Sequence, residues 1–180
     1  MTEPVVRVAR VDDSDAIGLL HVRSWQVAYK DRLPAAILDG LSPTRRAATW
    51  RDTLGRQAAN PGRGTTWVIE EDGAVVGFAQ GGRARDDDLE AGTGELHAIY
   101  LAPEAWSRGL GGRLFDHAVC QLVAAGFEGL VLWVLEANDR ARHFYERRGW
   151  RPDGDARQLD FDGTPVTEVR YRWARLHPDP

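Results

Sequence analysis

Three groups of residues in this 180-residue chain have types and spacings that can do chemistry. The first is Arg108-Gly109-Leu110-Gly111-Gly112, which runs directly into a helix-type sequence beginning at Arg113. The first N–H groups of a helix have no partner within it, and the helix dipole adds partial positive charge at the same place. Glycines let the backbone approach an anion and adopt positive φ. A ligand bearing a pyrophosphate is therefore expected at residues 108–113. The second group is Glu95 and His97, a carboxylate and an imidazole two residues apart on a strand pattern, hence on one face. The third is Tyr145 in Phe144-Tyr145-Glu146, on a short helix pattern opened by Asn138-Asp139. Upstream, His21, Trp25 and Tyr29 fall at i, i+4 and i+8 and form one stripe on a helix. Trp25 can offer an aromatic face to a cationic amine.

These residues need elements to position them. Val5–Val11 alternates as an opening strand, and Asp12-Asp13-Ser14-Asp15 supplies caps for a helix from about Asp13 to Tyr29. A helical turn over Ala35–Leu41 and a helix over Thr44–Gln57 follow, the latter introduced by Ser42-Pro43. Thr65–Glu70 and Ala74–Gly82 read as strands joined by an Asp72-Gly73 hairpin. The loop 83–92, with Asp86-Asp87-Asp88 and Glu90, reads as acidic and mobile. The strand Glu95–Leu101, the glycine loop and a helix over Gly112–Ala125 come next, with Gly126 as its stop. Leu130–Leu135 is a continuous apolar run, as expected for a strand buried on both faces. A helix over Arg140–Arg148 and strands near Arg151–Phe161 and Val166–Trp173, turning at Asp162-Gly163, complete the chain. The order β-α-α-β-β-β-α-β-α-β-β predicts an α/β fold with a mixed sheet, helices on both faces and one domain over residues 1–180.

Composition narrows the class. A net charge of −4 argues against a general nucleic-acid binder, and no apolar run approaches membrane-spanning length. The first fifteen residues lack a basic and then apolar leader, so no secretion signal is expected. The lone Cys120 cannot form an internal disulfide and reads as a buried, inert thiol in a reducing cytoplasm. No metal site is expected. The Gly-x-Gly loop also imitates a dinucleotide-binding unit, but Gly109 lies eight residues beyond Leu101, where that motif needs the turn at the strand end.

Taken in order and spacing, the Leu96–Leu101 strand with Arg108–Gly112, the apolar strand Leu130–Leu135, and the block Asn138–Trp150 resemble the Gcn5-related N-acetyltransferase (GNAT) superfamily. The resemblance covers about a third of the chain. In the family motif a Gln or Arg stands where this chain has Trp106. The resemblance implies a mostly antiparallel sheet with one splayed parallel strand pair, and acetyl-CoA as co-substrate. Cofactor contacts would come from Ile99, Tyr100 and Leu101 along the strand and from Ser107, Arg108, Gly109, Leu110, Gly111 and Gly112 in the loop. Arg113, Asn138, Arg142 and Tyr145 complete that set. The Leu101 N–H would hold the thioester oxygen. Tyr145 would be the acid that protonates the departing thiolate, with Glu95 or His97 as base. His21, Trp25 and Tyr29 would face the acceptor, a small-molecule or peptide amine. A toxin-type enzyme acting on aminoacyl-tRNA and a non-catalytic acetyl-CoA sensor are the alternatives. A homodimer through the edge strand near Val166–Trp173 is also expected.

Overall fold

A computed structural model describes residues 3–161 and 163–174. Residues 1, 2, 162 and 175–180 of the expected 1–180 domain, and with them half of the Asp162-Gly163 turn, lie outside the described residues. The strands are β1 (Val5–Val8), β2 (Thr65–Glu71), β3 (Ala74–Arg83), β4 (Thr93–Leu101), β5 (Gly129–Leu135), β6 (Arg151–Phe161) and β7 (Thr164–Ala174). The helices are α1 (Ser14–Ala28), α2 (Ala35–Asp39), α3 (Pro43–Ala59), α4 (Leu110–Ala124) and α5 (Asp139–Glu146). The element order matches the sequence reading except for one added helix, α2, formed within the segment Ala35–Leu41 expected to be only a helical turn. The strands form one sheet in the order β1-β2-β3-β4-β5-β7-β6, and every neighbouring pair is antiparallel except β4/β5.

Local chemistry sets the boundaries. β1 stops at Val8, short of the expected Val11, because Val11–Asp13 winds into a 3-10 turn in which Asp13 accepts the Arg10 N–H at 2.6 Å. Ser42 caps α3 by accepting the Arg45 N–H, with Pro43 at the first position. Asp72 and Gly73 both take positive φ, as a tight hairpin needs. α4 begins at Leu110, two residues earlier than expected, because Gly109 adopts the left-handed conformation and turns the chain into the helix.

The two sheet faces carry different helices. Phe78 on β3 packs edge-on against Trp50 of α3 (4.9 Å) and tilted against His21 of α1 (5.4 Å). On the other face Trp67 of β2 meets His117 of α4, and the missing side chain of Gly81 makes room for Leu122. α1 and α3 approach so closely that a Cβ on Gly18 would sit 2.6 Å from the Ala47 backbone nitrogen.

Three expectations change. β7 lies between β5 and β6, so it is not an edge; among the described residues the edges are β1 and β6. The reason is hydrogen bonding: β7 pairs with β5 over seven residues and with β6 on its other side. The acidic segment 86–88 is gripped by Arg170, whose guanidinium bonds Asp86, Asp88, Asp153 and Asp155, and Trp133 Nε1 donates to Asp86 at 2.8 Å. A nearly fully buried arginine needs such partners, so the segment is anchored where a mobile loop was expected. Cys120 is exposed, because it falls on the solvent side of α4, away from Leu114, Ala118 and Leu122.

One feature of the sheet creates a cleft. β4 and β5 pair only at Thr93–Gly129, Gly94–Leu130 and Glu95–Val131. Beyond Glu95 the register of β4 against β3 slips between Gln80 and Gly81, leaving His97 as an extra, bulged residue. β5 continues along β7, so the two parallel strands separate. From Leu96 to Leu101 the outer edge of β4 has no neighbouring strand.

Candidate active site

The opened edge leads into a cleft of about 760 Å³. Its floor is β4 from Glu95 to Leu101. Ser24, Ala28 and Tyr29 of α1 line one wall, and Trp133 to Leu135 of β5 with Asn138 and Tyr145 line the other. The loop Trp106 to Gly112 closes one end.

Backbone polarity explains what this edge can bind. Ala102 N–H donates to Val76 O at 2.9 Å, toward β3. Strand amides alternate in direction, so the N–H groups of Leu101 and Ile99 point to the open edge. The Leu101 carbonyl, on the same edge, accepts from Ser24 Oγ (2.7 Å) and Trp106 Nε1 (3.0 Å). The tryptophan in place of the usual motif residue thus fixes the strand end to the loop. Its other face carries the Arg140 guanidinium, 4.3 Å from the ring centre.

At the loop end, the first amides of α4 have no side-chain cap. Arg113 N–H is the first to return to a carbonyl, Gly109 O at 3.1 Å. The amides of Gly109, Leu110, Gly111 and Gly112 are available to an anion, as the glycine spacing predicts. Arg148 stands over this point: a Cβ on Gly112 would collide with its guanidinium. Arg148 is held by Asp116 at 3.2 Å and by the Phe144 ring at 4.0 Å. Arg140 and Arg147 line the same end.

The expected arginine contacts are therefore redistributed. Arg113 pairs with Glu3 (3.0 Å) and Arg108 with Glu71 (2.7 Å), both outside the cleft lining. Arg142 is turned to the Tyr171 hydroxyl (3.1 Å) and the Glu136 carbonyl (3.0 Å). Arg140 on α5, with Arg147 and Arg148 just beyond its end, lines the cleft, while Arg142 faces β7. Sequence reading saw the arginine cluster but not its facing. A helical projection aligning 140, 144 and 148 was the signal available.

In the middle of the cleft three phenols converge. Tyr29 stands beside Tyr100 and Asn138, and the buried Trp25 Nε1 has no hydrogen-bond partner among the described residues. Asn138 itself caps α5 by accepting the Ala141 N–H at 3.2 Å. Tyr145 is buried among Phe115, Phe144 and Tyr171, and burial, then the neighbouring Tyr29, pushes its hydroxyl well above the usual tyrosine range. It stays protonated until a strong base forms beside it.

Glu95 and His97 lie at the opposite end, side by side, with His97 Nε2 3.7 Å from Glu95 Oε2. Glu95 is buried and accepts the Arg85 N–H at 3.1 Å, while His97 is partly buried with its side chain enclosed. Burial raises the Glu95 pKa, opposed by the charge of Arg85 and its backbone bond. Burial, then the charge of Arg85, lowers His97 to about 4. His97 Nε2 is 3.2 Å from Arg83 O; a carbonyl only accepts, so this nitrogen carries the hydrogen and Nδ1 the lone pair. Glu95 is thereby the stronger proton acceptor of the two.

The expected acceptor stripe divides. Tyr29 lines the cleft. His21 does not: it is core, stacked on Tyr100 at 4.8 Å and accepting Trp50 Nε1 through Nδ1 at 3.2 Å. Trp25 packs on Tyr29 and Phe161 in a second apolar cluster, outside the cleft lining. From α1 and its cap, only Ser24, Val27, Ala28 and Tyr29, near the C-terminal end, reach the opening.

A splayed parallel pair over an uncapped glycine loop, with a buried tyrosine between them, defines a protein class. The family model for the acetyltransferase (GNAT) family matches residues 22–150, and the chain belongs to that family of acetyltransferases. The chain is 30% identical to an uncharacterized N-acetyltransferase, YuaI, of Bacillus subtilis, over 95% of this chain and 93% of that one. The fold is similar to the PaiA N-acetyltransferase of Thermoplasma acidophilum, solved with coenzyme A, with a TM-score of 0.76 and 17% identity over 97% and 100% of the two chains. It is also similar to the acetyltransferase YncA of Salmonella typhimurium, solved with acetyl-CoA, with a TM-score of 0.70 and 21% identity over 99% and 98%. Family and fold support binding of an acyl-CoA. No helix among the described residues is long and apolar enough to cross a membrane.

Proposed function

We propose that the chain is one catalytic domain that transfers the acetyl group of acetyl-CoA to an amine by direct attack. The observation that carries this reading is the unpaired outer edge of β4, beside the uncapped start of α4. The pyrophosphate would sit on the amides of Gly109 to Gly112, with Arg140, Arg147 and Arg148 adding charge. The pantetheine arm would lie along β4 as an added strand. The open-edge amides of Leu101 and Ile99 are the donors available to the thioester oxygen, where negative charge develops.

The amine must lose a proton, because a free alkyl ammonium has no lone pair. Glu95, reached through water, takes it. The nitrogen lone pair then forms the C–N bond and pushes electrons onto the carbonyl oxygen. Collapse of this oxyanion breaks the C–S bond, the departing thiolate takes the Tyr145 proton, and the second proton leaving the nitrogen returns through water to the Tyr145 phenolate, so that amide, thiol and neutral tyrosine remain. Arg113 and Arg142 serve structure in this reading, and Trp106 replaces the usual first motif residue by tying the Leu101 carbonyl to the loop.

The test is a calorimetric titration with acetyl-CoA, followed by thiol release against a panel of amines. Binding with release on one amine class supports the reading. Binding without release on any amine would leave a sensor of acetyl-CoA. Absence of binding would overturn the ligand assignment at residues 108–112.

A further inference from the structure

The charge of the cleft is unlike that of the chain. The chain has a net charge of −4, yet six arginines and two glutamates line the cleft. At the loop end, donor phosphates would match the surplus, with Arg148 beside the start of α4 at Gly112. The other end also carries arginine. Arg157 is committed to Glu168 at 2.7 Å and lies over the Trp133 ring at 4.2 Å. Arg85 is different. It is exposed, it lines the cleft, and among the described residues its guanidinium makes no hydrogen bond or ion pair. Its own backbone N–H donates to Glu95 Oε2 at 3.1 Å and it shares the cleft lining with Glu95 and His97, which places it beside the proton acceptors.

Phosphates of the donor cannot be its partner. Glu95 and Leu101 are separated by six residues of strand, roughly 20 Å, and the phosphate loop begins beyond Leu101. What reaches Arg85 must enter from the acceptor side. The backbone of this residue is also fixed, since its N–H is bound by Glu95. Its position relative to the base is thus set while its side chain remains free to bind.

The geometry points to Arg85 as a specificity residue that seats a carboxylate of the acceptor, so that the preferred acceptor is an amine bearing a carboxylate. This inference rests on the acetyl-transfer reading above. A guanidinium holds a carboxylate through paired, charge-assisted hydrogen bonds. Such a contact beside Glu95 would orient the amine, while an amine without the acid would lack that anchor. The carboxylate can come from a free amino acid or from an acidic peptide; the recognition chemistry is the same.

The test compares matched acceptors by thiol release with saturating acetyl-CoA: β-alanine against propylamine, phenylalanine against phenethylamine, and Gly-Asp-amide against Gly-Asn-amide. The carboxylate-bearing member should have the higher kcat/KM by roughly tenfold to hundredfold, mainly through KM. In Arg85→Gln this ratio should fall toward one, and in Arg51→Gln, a surface change on α3, it should persist. Preference confined to the dipeptides would identify a peptide acceptor, and preference among the free acids a small one. Equal rates within every pair, an unchanged ratio in Arg85→Gln, or no release with any acid despite bound acetyl-CoA would overturn the inference. Failure to bind acetyl-CoA at all would instead overturn the transfer reading.

Discussion

Protonating His21 should cost this protein much of its stability on the acid side, and the size follows from where the ring lies. His21 is buried against Tyr100 and Phe78, and its Nδ1 accepts the Trp50 N–H. A proton on that nitrogen would break the bond and place an unpaired charge in the core. Burial, then the charge of Arg46, lowers its pKa from 6.5 to about 3. Because the folded value is lower, the unfolded chain binds the proton first as pH falls. Stability is therefore intact above 6.5 and is withdrawn below it, at ~1.4 kcal/mol per pH unit, until the folded value is reached. From pH 7 to pH 5 His21 should withdraw ~2 kcal/mol. His97, lowered to about 4, should withdraw a similar amount. Glu95 works the other way: its raised pKa contributes stability below the unfolded carboxylate range that is lost as pH rises. The difference between variants isolates one ring. His21→Gln keeps an acceptor for Trp50 and removes the titration. Urea unfolding at pH 7 and pH 5 should show the wild type losing ~2 kcal/mol more than His21→Gln over that interval. Equal losses in the two proteins would refute a neutral, buried His21.

Four further outcomes are expected. Tyr145→Phe should lower turnover about 100-fold while calorimetry finds CoA affinity nearly unchanged; equal turnover would remove its acid role. Glu95→Gln should shift the pH–rate profile to higher pH, since the raised carboxylate is then absent; an unmoved profile would pass the role to His97. Arg148→Gln should weaken CoA binding roughly tenfold and flatten its salt dependence, because a guanidinium beside the α4 amides is lost. Gly18→Ala should destabilise the fold by about 2 kcal/mol or more in chemical denaturation, since α1 and α3 must separate to admit a methyl group; a neutral change would mean that this contact yields freely.

Much of the architecture was legible in the sequence because it rests on local rules. Asp72-Gly73 specifies a hairpin, Ser42-Pro43 and Asn138 specify helix starts, and Gly109, left-handed in the structure, specifies the turn into α4. Each depends on the backbone within a few residues. The pairing of Glu95 with His97 was equally local, and the strand period placed both on one face.

Where local rules stop, the tertiary structure decided. The gap between β4 and β5 arises because β5 follows β7 while β4 follows β3, a long-range choice written in no single segment. The facing of the arginines depends on how α5 sits against β7, which turns Arg142 to Tyr171 and leaves Arg148 over Gly112. The i, i+4, i+8 spacing groups His21 with Tyr29, yet both side chains are buried and only Tyr29, just beyond the end of α1, lines the cleft. The acidic loop looked solvated until Arg170, 82 residues beyond Asp88, was found holding it. Periodicity and capping act over the few residues of a turn, so sequence alone determined the elements and the glycine turn into α4. Burial and charge pairing act between residues distant in the chain, so only the packed structure decided which side chains face the cleft.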